Sequence, residues 1–294
     1  MFKYQSIIIV MTAEAGYILH SKPRFHRLSI ASFSGGMGSA RMVDRMIERY
    51  GRKSVLIWMS NTNFESEGNQ RFVADCMQRW GGRLYGTDNA GKTPYDIFEE
   101  KRIIPNSMIA PCTRVLKIEP FQEWLWRLPK PVTVCLGYGW NEPQRIKKAT
   151  HYHKHQGKPR TPQGYARRIH GVYVDYPLLW KPIDLRSDVE VIRSWGIEPS
   201  GHYGQGFTHD NCRGACVKQG LAEWRRLKAM NPDEFARRAV WERMMQAKLG
   251  TDRTILKQTI NGVAYPLPLD QIDADDSQMA MTFDSRENCV CGFE

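Results

Sequence analysis

The sequence lacks any long hydrophobic run. Its N-terminal apolar stretch, residues 6–10, is soon followed by the charged residues Glu14 and Lys22, whereas spanning a bilayer takes about 18 consecutive apolar residues or more. The N-terminus also lacks the basic start and the longer apolar stretch that are typical of a secretory signal peptide. We therefore expect a cytoplasmic protein with no membrane anchor.

Cysteine is sparse, and the sequence shows no internal repeat or extended low-complexity tract. Seven cysteines in 294 residues are an odd number in a fairly large chain, which fits a reducing compartment better than a disulfide scaffold. The composition, 41% hydrophobic and 25% charged, is typical of a globular protein. We expect a folded protein whose thiols are available for metal binding or redox chemistry.

Acidic residues are outnumbered by basic ones. The chain has 42 Lys and Arg against 31 Asp and Glu, which gives a formal net charge of +11. This balance is consistent with a polyanionic partner such as tRNA or DNA. A generally basic surface is the alternative, and only clustering of the charges on one face would separate the two.

Strand and helix patterns alternate from residue 28 onwards. The predicted strands are 28–33, 54–60, 83–85, 132–138 and 172–178, and the predicted helices are 41–49, 72–80, 118–127, 187–195, 221–230 and 232–249. This alternation predicts an α/β fold with a doubly wound, mostly parallel, Rossmann-like sheet. In such sheets, ligands bind at the carboxyl ends of the strands.

A glycine-rich loop joins the first strong strand to the helix that follows it. Its sequence is Ser34-Gly35-Gly36-Met37-Gly38-Ser39. A loop of this kind directs backbone N–H groups and two hydroxyls toward an anion at a helix N-terminus, where the helix dipole adds to the attraction. The pattern is neither the Walker nor the Rossmann phosphate-binding sequence. We predict a phosphate site here, with an ordinary tight connection as the alternative.

The loop resembles the PP-loop of ATP pyrophosphatases and of phosphoadenosine phosphosulfate (PAPS) reductases, which usually reads Ser-Gly-Gly-x-Asp-Ser. Further segments resemble the PAPS-reductase-like branch of that superfamily, which is often met in phage genomes; they are 60–65, 110–117, 137–145, 206–218 and 289–293. The resemblance covers residues 28–294. It implies a PP-loop fold that binds ATP or an adenine sulfonucleotide together with Mg²⁺.

The loop departs from the family pattern at one position. Gly38 stands where the family commonly has Asp. If that Asp assists the Mg²⁺ or pyrophosphate chemistry, its absence weakens the case for ATP cleavage and leaves nucleotide binding intact. Asp44, further along the predicted helix, is a poor substitute.

The chain divides into three predicted segments. Residues 1–27 form an irregular or hairpin lead-in, residues 28–180 form the PP-loop nucleotide-binding domain, and residues 181–294 form a helical, cysteine-bearing C-terminal region. Residues 143–168 are basic and are predicted to be loop-like. Their alternate histidines, His151, His153 and His155, indicate a solvated basic loop, with binding to a metal or a nucleic-acid backbone as alternatives.

Polar and basic residues beyond the loop are assigned to the nucleotide. Asn61 and Thr62 follow the second strand, where an adenosine would lie across the sheet crevice. Arg114 and Lys117 share a helix face if their segment is helical, and are predicted to neutralise phosphate or sulfate charge. The alternative for these two is a solvated basic helix end.

Glu142 and Arg145 come just after the fourth predicted strand, at the sheet edge where ligands bind. We predict that Arg145 contacts phosphate and that Glu142 has a catalytic role, positioning the phosphate or a metal. A structural ion pair between these two side chains is an equally good alternative.

The cysteines suggest a metal site. Cys112, Cys212, Cys216 and one of Cys289 or Cys291 are predicted to ligate a [4Fe–4S] cluster, with tetrahedral Zn²⁺ as the alternative. The remaining two cysteines, at positions 76 and 135, lie in predicted regular elements and are assigned to the core.

The C-terminal tail supports a different chemistry. Residues 286–292 faintly resemble the Glu-Cys-Gly tail with which sulfonucleotide reductases attack sulfate sulfur, although the spacing differs and the following His is missing. In that interpretation Cys289 or Cys291 is a catalytic thiol on a mobile terminus.

Three functions remain open at this point. The first is an enzyme that binds ATP, adenylylates an oxygen of a nucleic acid such as tRNA or DNA, and directs sulfur onto it from a sulfur donor. The second is a sulfonucleotide reductase that uses a tail thiol and a thioredoxin-like reductant. The third is a protein that binds nucleotide and nucleic acid and has lost catalysis. The sequence does not specify the oligomeric state.

Overall fold

The computed structural model describes residues 8–12, 16–20, 28–154 and 171–273, with side chains described in 28–150 and 171–273. The strands are β1 (Ile8–Thr12), β2 (Gly16–His20), β3 (Leu28–Ser32), β4 (Val55–Ser60), β5 (Leu84–Thr87), β6 (Val132–Cys135), β7 (Val172–Asp175), β8 (Leu256–Ile260) and β9 (Val263–Leu267). The α-helices are α1 (Met37–Tyr50), α2 (Glu67–Trp80), α3 (Pro94–Glu100), α4 (Glu119–Arg127), α5 (Pro143–Lys154), α6 (Asp188–Ser194), α7 (Gly201–Gly204), α8 (Leu221–Met230) and α9 (Pro232–Leu249).

Five strands form one parallel sheet in the order β5-β4-β3-β6-β7. In the registers, Ile30 of β3 lies opposite Leu56 of β4 and Val134 of β6. Because the chain first moves outward from β3 to β4 and later returns to β3's other side with β6, the order reverses between β3 and β6. The predicted parallel α/β sheet is confirmed.

Helices cover both faces of this sheet. On one face, Ala31 packs with Met42 and Val43 of α1. On the other face, Ile30 packs with Phe121 of α4 and Ile146 of α5. Successive residues of β3 thus enter opposite cores, as expected for a strand whose two faces are both buried. This arrangement confirms that the sheet is doubly wound.

A third core lies in the C-terminal region. It contains residues of α3, α8 and α9 together with two buried cysteines, Cys212 and Cys216. The buried carboxylate of Glu242 on α9 accepts the backbone N–H groups of Ile255 and Leu269, each at 2.7 Å. These two bonds hold the segment that carries the β8–β9 hairpin against α9.

The lead-in contains the hairpin that was one of two predicted alternatives, since β1 pairs antiparallel with β2. In the described residues, no helix combines the length and the apolar character that crossing a membrane requires.

The prediction of a loop over 143–168 is wrong for its first part, because α5 occupies 143–154 and includes His151 and His153. Ile146 and Ala149, three residues apart, are buried on one face of this helix, which the density of basic residues obscured. His155 and the rest of the predicted loop lie outside the described residues.

Besides α5, the elements α3, α7 and the β8–β9 hairpin were not predicted. Helix α3 begins with a capping box between Thr93 and Asp96, with Pro94 at its first position, a common helix start. The β8–β9 hairpin turns at Asn261 and Gly262, both with positive φ, the strongest short hairpin signal in a sequence.

Candidate functional site

A cavity of about 680 Å³ opens at the carboxyl ends of β3 and β6. Its walls are the loops that follow these two strands, residues 184–189 before and within α6, and residues of the 203–211 segment. The cavity therefore lies where the strand order reverses, which is the place where open α/β sheets bind their ligands.

The glycine-rich loop forms one wall of the cavity. Ser34, Gly36, Met37, Gly38 and Ser39 line it. Helix α1 begins at Met37 and has no acidic residue in its first turn. Its N-terminal N–H groups and its dipole therefore face the cavity without a competing carboxylate of the helix itself.

Gly35 is the one loop residue that does not line the cavity. Its φ is +77°, and its carbonyl accepts a 2.9 Å hydrogen bond from the buried Asn69 side chain. A Cβ at position 35 would lie 2.8 Å from the Asn69 Oδ1 atom. Gly35 therefore sets the shape of the loop from behind.

The Ser39 hydroxyl holds the loop together from within. It accepts the Ser34 N–H at 3.1 Å and donates to the Gly36 carbonyl at 2.8 Å. With this hydroxyl engaged inside the loop, the backbone N–H groups are the main donors that face the cavity.

The backbone of the loop after β6 packs closely against the backbone of the glycine-rich loop. A Cβ on Gly137 would lie 2.6 Å from the Ser39 Cα and 2.8 Å from the Gly38 carbonyl oxygen. A Cβ on Gly38 would lie 3.2 Å from the Gly137 oxygen and 3.4 Å from Asp188 Oδ2. This crowding gives a packing reason for glycine at position 38.

Glu142 and Arg145 both line the cavity and also form an ion pair. The second Glu142 oxygen accepts the Gly139 N–H at 2.9 Å. The Arg145 guanidinium lies 4.3 Å from the ring centre of Tyr138. The ion pair that was the alternative prediction is therefore present, and both side chains also line the cavity; their roles toward a phosphate stay predictions.

Four further charged residues in the cavity wall were not predicted. Arg41 pairs with Asp188 at 2.5 Å and with Asp184 at 3.5 Å. Arg186 hydrogen-bonds to Asp184, and this contact is the main reason that the pKa of Asp184 falls to about 2. Together with the Glu142–Arg145 pair, the wall contains three arginines and three carboxylates.

Tyr203 lies across the glycine-rich loop. Its hydroxyl oxygen is 3.5 Å from the position that a Cβ on Gly36 would take. Burial raises the pKa of Tyr203 well above its ordinary value, against the opposing effect of hydrogen bonds from the backbone N–H groups of Met37 and Asp210. The phenol thereby connects the first turn of α1 to the 203–211 segment.

Asp210 fixes that segment in place. One oxygen of its buried carboxylate accepts hydrogen bonds from Ser66 at 2.7 Å and from Ser200, and the other lies 2.8 Å from His202 Nδ1. Burial opposes the ionised form, but these hydrogen bonds keep the pKa of Asp210 below its usual value. Since Ser66 is the N-cap of α2, the segment is attached to the start of a core helix.

His209 presents a neutral imidazole at the cavity wall. Burial lowers its pKa to about 4. Its Nδ1 atom is buried and has no hydrogen-bond partner among the described residues. At neutral pH this side chain can therefore hydrogen-bond to a ligand without carrying a positive charge.

Asn61 and Thr62 do not line this cavity. The Thr62 hydroxyl donates to the buried carboxylate of Glu65 at 2.7 Å, and the Asn61 side chain hydrogen-bonds to Asn63 at 2.8 Å. Asn63 in turn donates to the carbonyl of Lys92 at 3.1 Å. In this structure the two predicted adenosine contacts stabilise the loop after β4.

Arg114 and Lys117 also lie outside the cavity lining. They belong to a π-helical stretch, Thr113–Ile118, that leads into α4. Arg114 pairs with Glu119 at 2.6 Å on the surface, as expected for a solvated basic helix end. The Lys117 charge instead lowers the pKa of both Glu65 and His209, so this ammonium is within electrostatic range of these two side chains.

Three of the predicted metal ligands share the C-terminal core. Cys212 and Cys216 are buried there and hydrogen-bond to each other, and Cys112 packs against the same core. Cys289 and Cys291 lie outside the described residues. Within 28–150 and 171–273, where side chains are described, no group of three or more His, Cys, Asp or Glu side chains is arranged to hold a metal ion.

The backbone at the first of these cysteines is unusual. Cys212 and Arg213 have φ values of +54° and +56°, a left-handed conformation that costs non-glycine residues free energy and is found more often at functional sites. Asn211, immediately before them, lines the cavity. The remaining two cysteines, Cys76 and Cys135, are buried core residues as predicted.

A comparison with models of known protein families gives no match, and a comparison with curated protein sequences gives none either.

Proposed function

We propose that the protein is a PP-loop enzyme of the PAPS-reductase-like type that binds an adenine nucleotide in the cavity between β3 and β6. The observation that carries the proposal is the position of the glycine-rich loop, which presents the N-terminus of α1 to a cavity of about 680 Å³. Pockets of roughly 300–1,000 Å³ are usual for small-molecule ligands. Phosphate groups occupy helix N-termini of this kind in other folds.

The reaction that we propose is adenylyl transfer to a nucleic acid, followed by sulfur transfer. A substrate oxygen forms a bond to the α-phosphorus of ATP, the bond to the β-phosphate breaks, and pyrophosphate leaves as the substrate proton passes to water. A sulfur donor then displaces AMP. The loop N–H groups stabilise the phosphate charge that develops, and Arg145, held by Glu142, contacts the phosphate.

Mg²⁺ would supply charge neutralisation at the phosphates when bound. Of the cavity residues, Asp188 offers the matching donor, a carboxylate oxygen directed at the glycine-rich loop. The chain's own residues would orient the nucleotide, with phosphate on the loop and with Tyr203 and His209 also in the cavity lining.

Measuring pyrophosphate release from ATP and Mg²⁺, with and without tRNA or DNA, tests the proposal directly. We expect release that depends on nucleic acid. Nucleotide binding without any product would instead support the binding protein that has lost catalysis.

A sulfonucleotide reductase is the second candidate, and one observation favours it. Asn211 lines the cavity, and the next residue is Cys212, whose thiol hydrogen-bonds to that of Cys216. In this alternative a tail thiol, Cys289 or Cys291, attacks the sulfate sulfur and displaces AMP or its 3′-phosphate, which leaves a thiosulfonate on the cysteine. A thioredoxin-like dithiol then attacks the cysteine sulfur, sulfite leaves, and the second thiol of the reductant frees the cysteine as the reductant becomes a disulfide. Sulfite formed from adenylyl sulfate or its 3′-phosphate would select this candidate.

We further propose that Cys112, Cys212, Cys216 and one of Cys289 or Cys291 ligate a [4Fe–4S] cluster. The support is that the first three share one core and that a fourth thiolate would complete the usual ligand set. Anaerobically purified protein should be brown, with absorbance near ~400 nm and with iron and sulfide in equal amounts. Colourless protein that contains one zinc ion per chain would contradict the cluster and support the Zn²⁺ alternative.

A further inference from the structure

One carboxylate approaches the glycine-rich loop from a distant part of the chain. Asp188 is the first residue of α6, and its Oδ1 atom pairs with Arg41 at 2.5 Å. Its Oδ2 atom lies 3.4 Å from the position of a Cβ on Gly38. The acidic side chain therefore reaches the same loop that presents N–H groups to a phosphate.

The neighbouring arginine binds the other oxygen of this carboxylate. Arg41 also donates to the backbone carbonyls of Arg186 at 3.0 Å and Asp184 at 3.1 Å. These bonds hold the guanidinium on the α6 side of the carboxylate. Among the described residues, Asp188 Oδ2 has no hydrogen-bond partner, so the loop faces the oxygen that Arg41 does not bind.

The charge of Asp188 also reaches the opposite wall. It contributes to the raised pKa of Tyr203, whose hydroxyl lies beside Gly36. A phosphate on the loop would therefore meet a carboxylate of like charge. Each of the three arginines in the wall is already paired with a carboxylate: Arg41 with the Oδ1 atom of Asp188, Arg145 with Glu142 and Arg186 with Asp184. Their charges are therefore engaged on other oxygens and do not face a phosphate beside Asp188 Oδ2.

A divalent cation that accompanies the nucleotide removes the conflict. Mg²⁺ binds readily to carboxylate and phosphate oxygens together, and it lowers the net charge of the nucleotide. We propose that Asp188 makes the loop selective for the metal-bound nucleotide and excludes the free nucleotide. This inference rests on the proposed nucleotide binding, and it makes Asp188 a specificity-determining residue.

Calorimetric titration with ATP tests the inference, once with Mg²⁺ and once with a chelator that removes divalent cations. We expect the wild-type affinity to fall at least about tenfold without Mg²⁺, because the nucleotide then meets the carboxylate directly. In the Asp188→Asn variant the affinity for metal-free ATP should rise by about the same factor, so that the dependence on Mg²⁺ nearly disappears.

Asp184→Asn is the matched control. Asp184 lines the same cavity and contacts the same Arg41, but it pairs mainly with Arg186 at 2.7 Å. Its substitution should leave the dependence on Mg²⁺ unchanged. Thermal unfolding of each variant verifies that it is folded, and the wild-type comparison with and without Mg²⁺ remains decisive even if Asp188→Asn does not fold.

The outcomes separate the two proposals. Wild-type protein that binds metal-free ATP as tightly as the Mg²⁺ complex would overturn the role of Asp188 while leaving nucleotide binding in place. A folded Asp188→Asn variant that keeps the full dependence on Mg²⁺ would overturn it as well. Wild-type protein that binds ATP under neither condition would contradict the proposed function itself.

Discussion

At the scale of single residues, the loop's sequence follows from what surrounds it. Position 38 is enclosed by the Gly137 carbonyl and the Asp188 carboxylate, and Gly137 has no room for a Cβ against Ser39. Position 36 is different, because a Cβ there would meet only the Ser34 and Tyr203 oxygens at 3.5 Å, an ordinary contact. The glycines of one short loop therefore differ in what they tolerate.

This difference gives a prediction about position 36. Gly36→Leu should leave the fold intact and weaken ATP binding at least about a hundredfold, because the added side chain enters the space of the phosphate. Gly36→Ala should change the affinity by less than about fivefold, since its Cβ fits. Equilibrium binding of ATP with Mg²⁺ measures both. Full affinity in Gly36→Leu would mean that the phosphate binds elsewhere.

Tyr203 gives a prediction about stability. Removing its hydroxyl in Tyr203→Phe leaves the N–H groups of Met37 and Asp210 without their shared acceptor, so the free energy of unfolding should fall by about 1–2 kcal/mol. Tyr85→Phe is the control, because Tyr85 is only half-buried and stacks on Trp124. Urea unfolding measures both, and equal losses in the two variants would contradict the bridging role of Tyr203.

His209 gives a prediction about pH. Its pKa in the folded protein is about 4, against 6.5 for the ordinary group, so the unfolded chain takes up the proton first as the pH falls. The stability that the neutral imidazole contributes is present above pH 6.5 and is lost progressively down to pH 4. Between pH 7 and pH 5 this loss is about 2 kcal/mol.

The measurement compares urea unfolding of the wild type and His209→Gln at pH 7 and pH 5. The variant lacks the titrating group, so its stability should fall by less than that of the wild type over this interval. Parallel losses in the two proteins would show that His209 is protonated normally in the folded state.

At the scale of elements, the site is assembled from segments that are far apart in sequence. The glycine-rich loop was predictable because a strand, a glycine-rich turn and a helix are adjacent along the chain. The wall formed by 184–189 and 203–211 was not, because it depends on the packing of α6 against α1. Ser187 and Glu190 form a capping box, which indicates in the sequence where α6 begins. The capping box does not indicate that the carboxylate of Asp188 lies beside the glycine-rich loop.

The β8–β9 hairpin was not predicted for a local reason. The Asn261-Gly262 turn was visible, but its strands are largely exposed and lack the apolar alternation that would have indicated them. The assignment of Asn61 and Thr62 to the nucleotide, made because they follow a strand, stays a prediction. The structure uses them in side-chain bonds within the β4 loop, a competition that the sequence does not reveal.

The 203–211 segment gives a prediction at the element scale. Asp210→Ala leaves the hydroxyls of Ser66 and Ser200 without their acceptor and His202 without its carboxylate neighbour, so the free energy of unfolding should fall by about 2–4 kcal/mol. Nucleotide affinity should fall as well, because Tyr203 and His209 lose their support. The exposed Asp252 supplies the control: Asp252→Ala should stay within about 0.5 kcal/mol of the wild type. A stable Asp210→Ala protein would contradict this role of the carboxylate.

At the scale of the whole molecule, the basic excess and the cavity are separate features. The chain has a net charge of +11, whereas the cavity wall contains equal numbers of arginines and carboxylates. The excess charge therefore lies outside the cavity, where a nucleic acid would meet it. The basic excess can be counted in the sequence, and the parallel sheet could be predicted from it. The equal number of arginines and carboxylates in the cavity wall could not be predicted, because those residues are brought together only in the folded chain.

This separation predicts different responses to salt. Binding of tRNA or DNA should weaken at least about a hundredfold between ~50 and ~200 mM salt, because neutralised phosphates release their counterions. Binding of ATP with Mg²⁺ should change much less, since its site has no excess of positive charge. Fluorescence anisotropy with labelled ligands measures both, and equal salt dependence would contradict separate sites.

The contact between Gly38 and Gly137 joins the two strands at the centre of the sheet beyond their own hydrogen bonds. A nucleotide bound to the glycine-rich loop would hold Gly38 in place against Gly137. Separation of β3 from β6 should then be less favourable when the cavity is occupied. The amides of Ile30 and Val134, deep in that pair, should then exchange their hydrogens more slowly when ATP is bound. Hydrogen exchange in the middle of the sheet would thus depend on whether the cavity is occupied, although both amides belong to the sheet and not to the glycine-rich loop.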